Sequence, residues 1–425
     1  MRVNKNVRIG SSMCVGMLIY LIIHHTLFNI SGIVLPKFPL ISIISLVLPG
    51  VALVSIFKPY CHCSAGFYHQ KVLGFSRVGD FVEEIRKLSI VVPMYNSKRI
   101  TRLLNSFGSN SMDKIEIIII DDGSSDDSVS VCNEYAKQHS DYAIKIFSKE
   151  NGGVSSARNL GIEKANCKHL IFCDSDDELV SGAIDCLLNQ ITEDLDWFVY
   201  GLIRTEEQKN KAVREYQGIY SKMDMINHLD TWLTDTEVLN SPVTKVYSRN
   251  ILIEHNVRFD EEITIGEDLN FNLQYLENIT KSIKVTSEPL YIYHTENSGS
   301  TSKFYKNYAE ERWNEIRFVD NFFKKYGLER NLIYYLYIKY VYSAVFMMWH
   351  PDSGIHKRTI KNFINESREK TEIKEAIKTY RPNGMINRCL RDTLRINSAT
   401  VIYALMKVVN LCSRVISRRY RRASV

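Results

Sequence analysis

Two carboxylates one residue apart, Asp174 and Asp176, end an apolar run in the stretch FCDSDD at 172–177. Like charges that close repel unless a cation lies between them. A hard divalent ion held by one or two carboxylates together with phosphate oxygens meets that need. An acidic turn that only caps the next helix would show the same residues. A further carboxylate, Asp268 in GEDLNF at 266–271, opens an apolar-periodic segment of Leu269, Phe271, Leu273 and Leu276. That pattern predicts a helix N-terminus presenting Glu267 and Asp268 to a crevice, where Asp268 is a candidate base for a hydroxyl nucleophile. The helix N-terminus would also stabilise the ionised carboxylate and limit its basicity, and an acidic first turn without chemistry is the plainer reading. In ENGGVSSARNLGI at 150–162, Gly152 and Gly153 allow close backbone approach, and Arg158 suits either a phosphate contact or a structural ion pair.

These residues do chemistry only if the chain brings them together, and the elements around them predict that it does. Leu88 to Val92 reads as a buried strand stopped by Pro93, with a helix around Ile100 to Phe107. Glu116 to Ile120 is a second strand, followed by Asp121-Asp122-Gly123-Ser124-Ser125 and a helix from about Asp126. Ala143 to Phe147 is a third, with a tight turn at Asn151-Gly152-Gly153 and a helix from Val154 to Ala165. His169 to Cys173 is the fourth. Strands alternating with helices at this spacing predict βαβ units in a mostly parallel, Rossmann-like α/β sheet. Continuously apolar strands need cover on both faces, so the polar residues at their C-terminal ends face a shared crevice.

The stretch from about 88 to 180, with GEDLNF downstream, resembles the family 2 glycosyltransferases, inverting enzymes with the nucleotide-sugar-binding fold called GT-A. The resemblance covers roughly 88 to 300. It implies that Pro93 and Tyr95 line the nucleotide pocket and that Asp122 sits by the nucleobase. It also places the loop with Gly153 and Arg158 by the donor, and makes Asp174 and Asp176 a DxD motif. The second aspartate of that motif is then the direct ligand of Mn²⁺ or Mg²⁺, and the metal holds the donor diphosphate. The implied activity moves a hexosyl-type sugar from a nucleoside diphosphate sugar to a glycan or lipid-linked acceptor, in assembly of capsule, exopolysaccharide or O-antigen. Charge building on a departing diphosphate calls for a metal, and the attacking hydroxyl calls for a base, Asp268. Family members often carry a basic residue or histidine near His294, which otherwise reads as a histidine at a strand end.

Two rival activities use related folds. A nucleotidyltransferase would carry a Gly-rich, Lys- or Arg-bearing loop after the first strand, where this chain has Pro93-Met94-Tyr95-Asn96. An inactive nucleotide-sugar-binding protein is disfavoured because the acidic pair and the candidate base are all present. A processive polymerase resembling cellulose or hyaluronan synthases would show Gln-x-x-Arg-Trp, but Ala309 precedes Arg312-Trp313 at the Gln position.

At 425 residues the chain exceeds one simple domain, and 45% hydrophobic with 24% charged residues is a globular composition. Three regions are predicted: a membrane-associated hydrophobic hairpin and linker over 1–80, the catalytic unit over 86–300, and a helical region over 301–425. Met13 to Leu35 and Leu40 to Phe57 are each near the length that crosses a bilayer. Basic residues flank both, at Arg2, Lys5 and Arg8 and at Lys58 and Lys71, which favours a hairpin in the inner membrane with both ends and the catalytic domain cytoplasmic. His24, His25 and Pro49-Gly50 leave a shallow interfacial hairpin open. The nine cysteines are scattered apart from Cys61-His62-Cys63, so neither a disulfide framework nor a zinc site is implied. Asn331 to His350 reads as a buried helix. The C-terminal segment sets Val401, Ile402, Leu405, Val408 and Val409 on one helical face before Arg414, Arg418, Arg419, Arg421 and Arg422, a pattern for an anionic membrane surface. Nucleic acid is not expected, since no basic groove interleaved with aromatics accompanies the arginines.

Overall fold

A computed structural model describes residues 86–97, 99–108, 110–205, 216–234, 238–294 and 306–410. The apolar runs before residue 58, the Cys61-His62-Cys63 cluster and the arginines beyond 410 lie outside the described residues. Among the described residues no helix is long and apolar enough to cross a membrane.

The first half of the catalytic unit follows the predicted alternation: β1 (Leu88–Met94), α1 (Ile100–Ser106), β2 (Ile115–Asp121), α2 (Ser128–Gln138), β3 (Ile144–Ser148), α3 (Gly153–Lys164) and β4 (His169–Phe172). One boundary differs: Pro93 does not end β1 but lies inside it, opposite Ile120 of β2. The amide of Asp122 donates to Met94 O and that of Cys173 to Val91 O, so odd-numbered positions of β1 face β4. The β1–β4 ladder ends at Val91 opposite Phe172, so the missing N–H of Pro93 removes no ladder bond.

The chain continues through β5 (Glu178–Leu179), α4 (Ala183–Gln190), β6 (Leu195–Arg204), β7 (Gly218–Tyr220), α5 (Lys222–Asn227), α6 (Leu229–Thr234), β8 (Lys245–Ser248), α7 (Arg249–Glu254), α8 (Glu267–Asn278) and β9 (Ser282–Tyr293). These strands join one nine-stranded sheet in the order β3-β2-β1-β4-β8-β6-β9-β5, with β7 beside β9. The strands β3, β2, β1, β4, β6 and β9 all run the same way, whereas β8, β5 and β7 run against them. The sheet is thus mostly parallel, with the reversed β8 at its centre.

Alternate residues of the central strands feed two cores. Ile90, Val92, Ile117 and Ile119 pack with α1 and α2, while Val91, Ile118 and Ile120 pack with α3, α8 and the C-terminal helices. Helix α3 lies close on β1 because Gly161 has no side chain. A Cβ there would stand 2.2 Å from Val91 Cγ1.

The C-terminal region comprises α9 (Tyr308–Lys325), α10 (Asn331–Met348), α11 (Lys357–Glu369), α12 (Thr371–Thr379), α13 (Met385–Leu394) and a helix over 399–410. Helix α10 is the predicted buried helix and packs against its neighbours through Ile333, Tyr337, Val341 and Val345. The apolar residues of the last helix do not share one face. Ile402, Met406 and Val409 are buried, while Val401 and Val408 are 46% and 41% exposed. The buried residues follow i, i+4, i+7 and form the docking stripe, and Val401 and Val408, one position earlier, fall about 100° around the axis.

Candidate active site

The polar ends of β1, β2 and β4 are fastened to one another by side-chain hydrogen bonds. Asn96, held at φ 46, accepts at Oδ1 from the amides of Ser125 (2.9 Å) and Asp126 (3.3 Å), which locks the turn after β1 to the loop after β2. Tyr95 beside it is 54% exposed at the rim, and Pro93 is buried beneath. Asp122, 3% exposed, accepts from Lys149 Nζ (2.8 Å) and from the amides of Gly152 (2.9 Å) and Gly153 (2.7 Å). Its carboxylate therefore anchors the glycine loop. Gly153 carries a φ of +87 that L side chains rarely adopt.

Helix α3 starts at that loop, and its first two turns carry Arg158 to the centre of the site. Arg158 is 5% exposed. Its Nη2 lies 2.9 Å from Asp174 Oδ1 and its Nη1 2.9 Å from Asp268 Oδ1. The guanidinium sits 5.3 Å from the ring centroid of Phe259, itself stacked on Phe271 at 3.9 Å. Of the two roles open to Arg158, this is the ion pair, and it joins the acidic turn after β4 to the N-terminus of α8.

The acidic turn is held from below. The amide of Asp174 donates to the Tyr291 hydroxyl (3.0 Å), which donates to Asp177 Oδ2 (2.8 Å), and the amide of His294 donates to Asp177 Oδ1 (2.8 Å). Burial and the neighbouring Asp174 charge push the Asp177 carboxyl up to about 8. His294 Nε2 meets Glu178 Oε1 at 2.7 Å, and Arg102 donates through Nη2 to the Asp176 carbonyl and forms an ion pair with Glu178 at 3.3 Å. His294 thus braces the turn from behind.

Gly266, at φ +87, caps α8 and leaves Glu267 and Asp268 in its first turn, as the periodicity predicted. Burial raises the Asp268 carboxyl above the usual carboxylate range, against the lowering effect of Arg158. Lys245 on β8 adds a second cation to this environment. It is fully buried, its Nζ donating to the carbonyls of Ser241 (2.6 Å) and Val243 (3.2 Å), and burial brings its ammonium down to about 7. A cavity of about 490 Å³ opens beside Asp268, with Gly266 and Glu267 on its wall, Leu332 and Leu336 of α10 on another, and Arg312 paired to Glu315 at its side.

The family profile described as glycosyl transferase family 2 matches residues 89–255. The uncharacterized glycosyltransferase EpsJ of Bacillus subtilis is 30% identical over 247 residues, which are 57% of this chain and 71% of EpsJ. The chain belongs to glycosyl transferase family 2. A further relative, the poly(ribitol-phosphate) beta-glucosyltransferase of Bacillus spizizenii, is 27% identical over 50% of this chain and 33% of its own length. The fold matches that of S. aureus TarS (residues 1–349), solved in complex with UDP-GlcNAc, at a TM-score of 0.52 and 18% identity, over 78% of this chain and 92% of that one. The α/β sheet described above is therefore the GT-A fold.

The donors of the acidic turn decide whether it could hold a divalent ion. Asp174 and Asp176 are half-buried and offer oxygen only. Among the described residues no three His, Cys, Asp or Glu side chains converge as a metal cage. That donor set fits Mg²⁺ or Mn²⁺ held by one or two carboxylates, with phosphate oxygens and water completing the shell. Sequence reasoning missed Asp177, Tyr291, Lys149 and Lys245. The Tyr-x-Tyr alternation in LYIYH signals an inward Tyr291, whereas nothing local marks Lys245 as more than a strand lysine.

Proposed function

We propose that this chain is an inverting glycosyltransferase that transfers a hexosyl-type sugar from a nucleoside diphosphate sugar to a glycan or lipid-linked acceptor in cell-surface polymer assembly. The observation that carries the reading is the double contact of Arg158, which sets the candidate base Asp268 beside the acidic turn of Asp174 and Asp176. The names of two relatives support the substrate class, one bound to UDP-GlcNAc and the other acting on poly(ribitol-phosphate).

In the proposed reaction the acceptor hydroxyl oxygen forms a bond to the anomeric carbon while that carbon's bond to the donor diphosphate breaks. The hydroxyl proton passes to Asp268. Arg158 occupies Oδ1 of that carboxylate, so Oδ2 is the atom that accepts it. Burial raises the proton affinity of Asp268 and opposes the helix N-terminus, which lowers it. Mn²⁺ or Mg²⁺ on Asp174 and Asp176, when bound, would stabilise the charge of the departing diphosphate. One displacement with one base leaves the anomeric configuration inverted.

The apolar runs over 13–57 and the basic residues beyond 410 lead us to assign the chain to the inner membrane with its catalytic unit cytoplasmic. Full-length protein recovered wholly in the soluble fraction of lysed cells would refute that part. The function itself is tested with purified protein, Mn²⁺ and a panel of nucleotide sugars. Nucleoside diphosphate release and an inverted product anomer are expected. No release with any donor, or retained stereochemistry, overturns the proposal.

A further inference from the structure

A second concavity, of about 720 Å³, lies where α12 ends and α13 begins, away from the acidic turn. Lys378, Arg381, Arg388 and Arg391 line it, and no acidic residue does. Arg391 is tied down, its guanidinium bonded to Asp392 and to the Tyr380 carbonyl (3.1 Å). The side chains of Lys378, Arg381 and Arg388 are exposed and have no ion pair or hydrogen bond among the described residues. Several other cations of the helical region are ion-paired. Arg330 and Lys324 pair with Asp320, Lys325 with Glu277, Lys374 with Glu369 and Arg395 with Asp392. Three uncompensated cations gathered in one hollow repel each other until an anion joins them.

The position of the hollow says which anion. Asn331 and Arg381 exchange two hydrogen bonds (2.9 and 3.0 Å), and the rings of Tyr335 and Tyr380 lie 6.0 Å apart. Asn331 and Tyr335 are one helical turn apart on α10, and Leu332 and Leu336, each one residue later, line the cavity that holds Asp268. One residue is about 100° around a helix about 10 Å across. The basic hollow and the cavity of the candidate base therefore flank the same two turns of α10. Met385 is the one exposed large apolar side chain among the described residues of α12 and α13, so this surface lacks the apolar rim that enters a bilayer.

We infer that the hollow formed by Lys378, Arg381 and Arg388 holds a phosphate group of the acceptor, so that the enzyme takes phosphate-bearing acceptor chains whose free hydroxyl reaches Asp268 around α10. The inference rests on the glycosyltransferase reading for the role of Asp268, but the anion site can be tested without it. Guanidinium and ammonium groups bind phosphate through charge-assisted hydrogen bonds, so the contact should weaken as salt rises.

The test measures binding of a fluorescent glycerol phosphate oligomer to the full chain in excess chelator, with a neutral oligosaccharide and phosphatidylglycerol vesicles as the other two ligands. The wild type should bind the oligomer in preference to the neutral ligand. The Lys378→Ala/Arg381→Ala/Arg388→Ala protein should bind it at least about tenfold more weakly. The Arg358→Ala/Lys361→Ala protein, with two α11 cations removed, should bind it normally, and unchanged thermal melting of both variants shows that they fold. Equal oligomer binding by wild type and triple variant, or no binding by wild type at low salt, overturns the inference. Vesicle binding lost in the triple variant with oligomer binding intact makes the hollow a lipid headgroup site and likewise overturns it. Hydrolysis of nucleotide sugars by wild type without acceptor tests the glycosyltransferase reading by itself, so the two failures remain distinct.

Discussion

Arg158 and Asp268 lie 110 positions apart in the chain and 2.9 Å apart in the fold. Because Arg158 also holds Asp174, a single buried guanidinium stands between the turn proposed to bind the donor and the carboxylate proposed to deprotonate the acceptor. The planar fork gives each carboxylate its own terminal nitrogen in a fixed geometry, which the single nitrogen of a shorter lysine ammonium does not reproduce.

Replacing Arg158 separates its charge from its geometry. Arg158→Lys should fold and should lower kcat by roughly 10 to 10² because one carboxylate loses its positioning contact. Arg158→Ala removes the counterion that the two acidic groups share and should cost about 2–3 kcal/mol in denaturant unfolding. That is below the value for a fully buried pair, since the Asp174 and Asp268 side chains keep 30% and 22% of their exposure. An Arg158→Lys enzyme with wild-type kcat would show that the shared contact does not position the base.

Donor binding and proton removal should come apart by mutation. Asp268→Asn is expected to lower kcat by roughly 10² to 10⁴ with donor affinity nearly unchanged, because a base acts only as the hydroxyl attacks. Asp176→Asn should weaken donor binding as well, and excess chelator should reproduce that loss in the wild type. Calorimetric donor titration alongside steady-state kinetics separates these cases, and undiminished kcat in Asp268→Asn removes the residue from the mechanism.

After burial, Arg158 and Asp174, Lys245 also acts on the Asp268 carboxyl. Its positive charge lowers the Asp268 carboxyl, so Lys245→Met should raise it and move the acidic limb of the kcat/KM profile to higher pH. Lys245 also leaves a mark on stability. Its folded value is about 7 against an ordinary 10.5, so between those pH values the unfolded chain holds a proton that the folded chain has lost. Wild-type stability relative to Lys245→Met should therefore rise with pH across that window. An unmoved acidic limb refutes the link to Asp268.

Glu116 predicts an acid-sensitive fold at the opposite end of the sheet. Burial acts to raise its carboxyl, but Ser89 Oγ (2.7 Å), the Asn166 amide (2.6 Å) and Lys145 Nζ (2.9 Å) overcome it and bring the group down to about 2. A depressed carboxyl stabilises the fold above its ordinary 4.5, and that contribution, about 3 kcal/mol, is lost as pH falls toward 2. Glu116→Gln should be less stable at neutral pH and should show a flatter decline through that window in urea unfolding. Identical acid profiles would show that the three donors do not hold the carboxylate.

The sequence alone determined which residues end strands and which open helices, because those choices follow from periods of two and of 3.6 within one segment. The buried runs of β1, β2 and β4, the glycine loop before α3 and the acidic first turn of α8 were all legible in this way. So was the family, since its motifs are local. The contacts between segments were not. Pro93 could be read as a strand end, but whether a proline breaks a ladder depends on which neighbour its amide faces, and here that neighbour stops at Phe172. The last helix reads as one apolar face until docking separates Ile402 from Val401. Arg158 suited phosphate or an ion pair equally while its surroundings were unknown, because its partners come from β4 and α8 and the fold alone brings them within 2.9 Å. Lys245 owes its altered proton affinity to complete burial, which no window of sequence around KVYS contains.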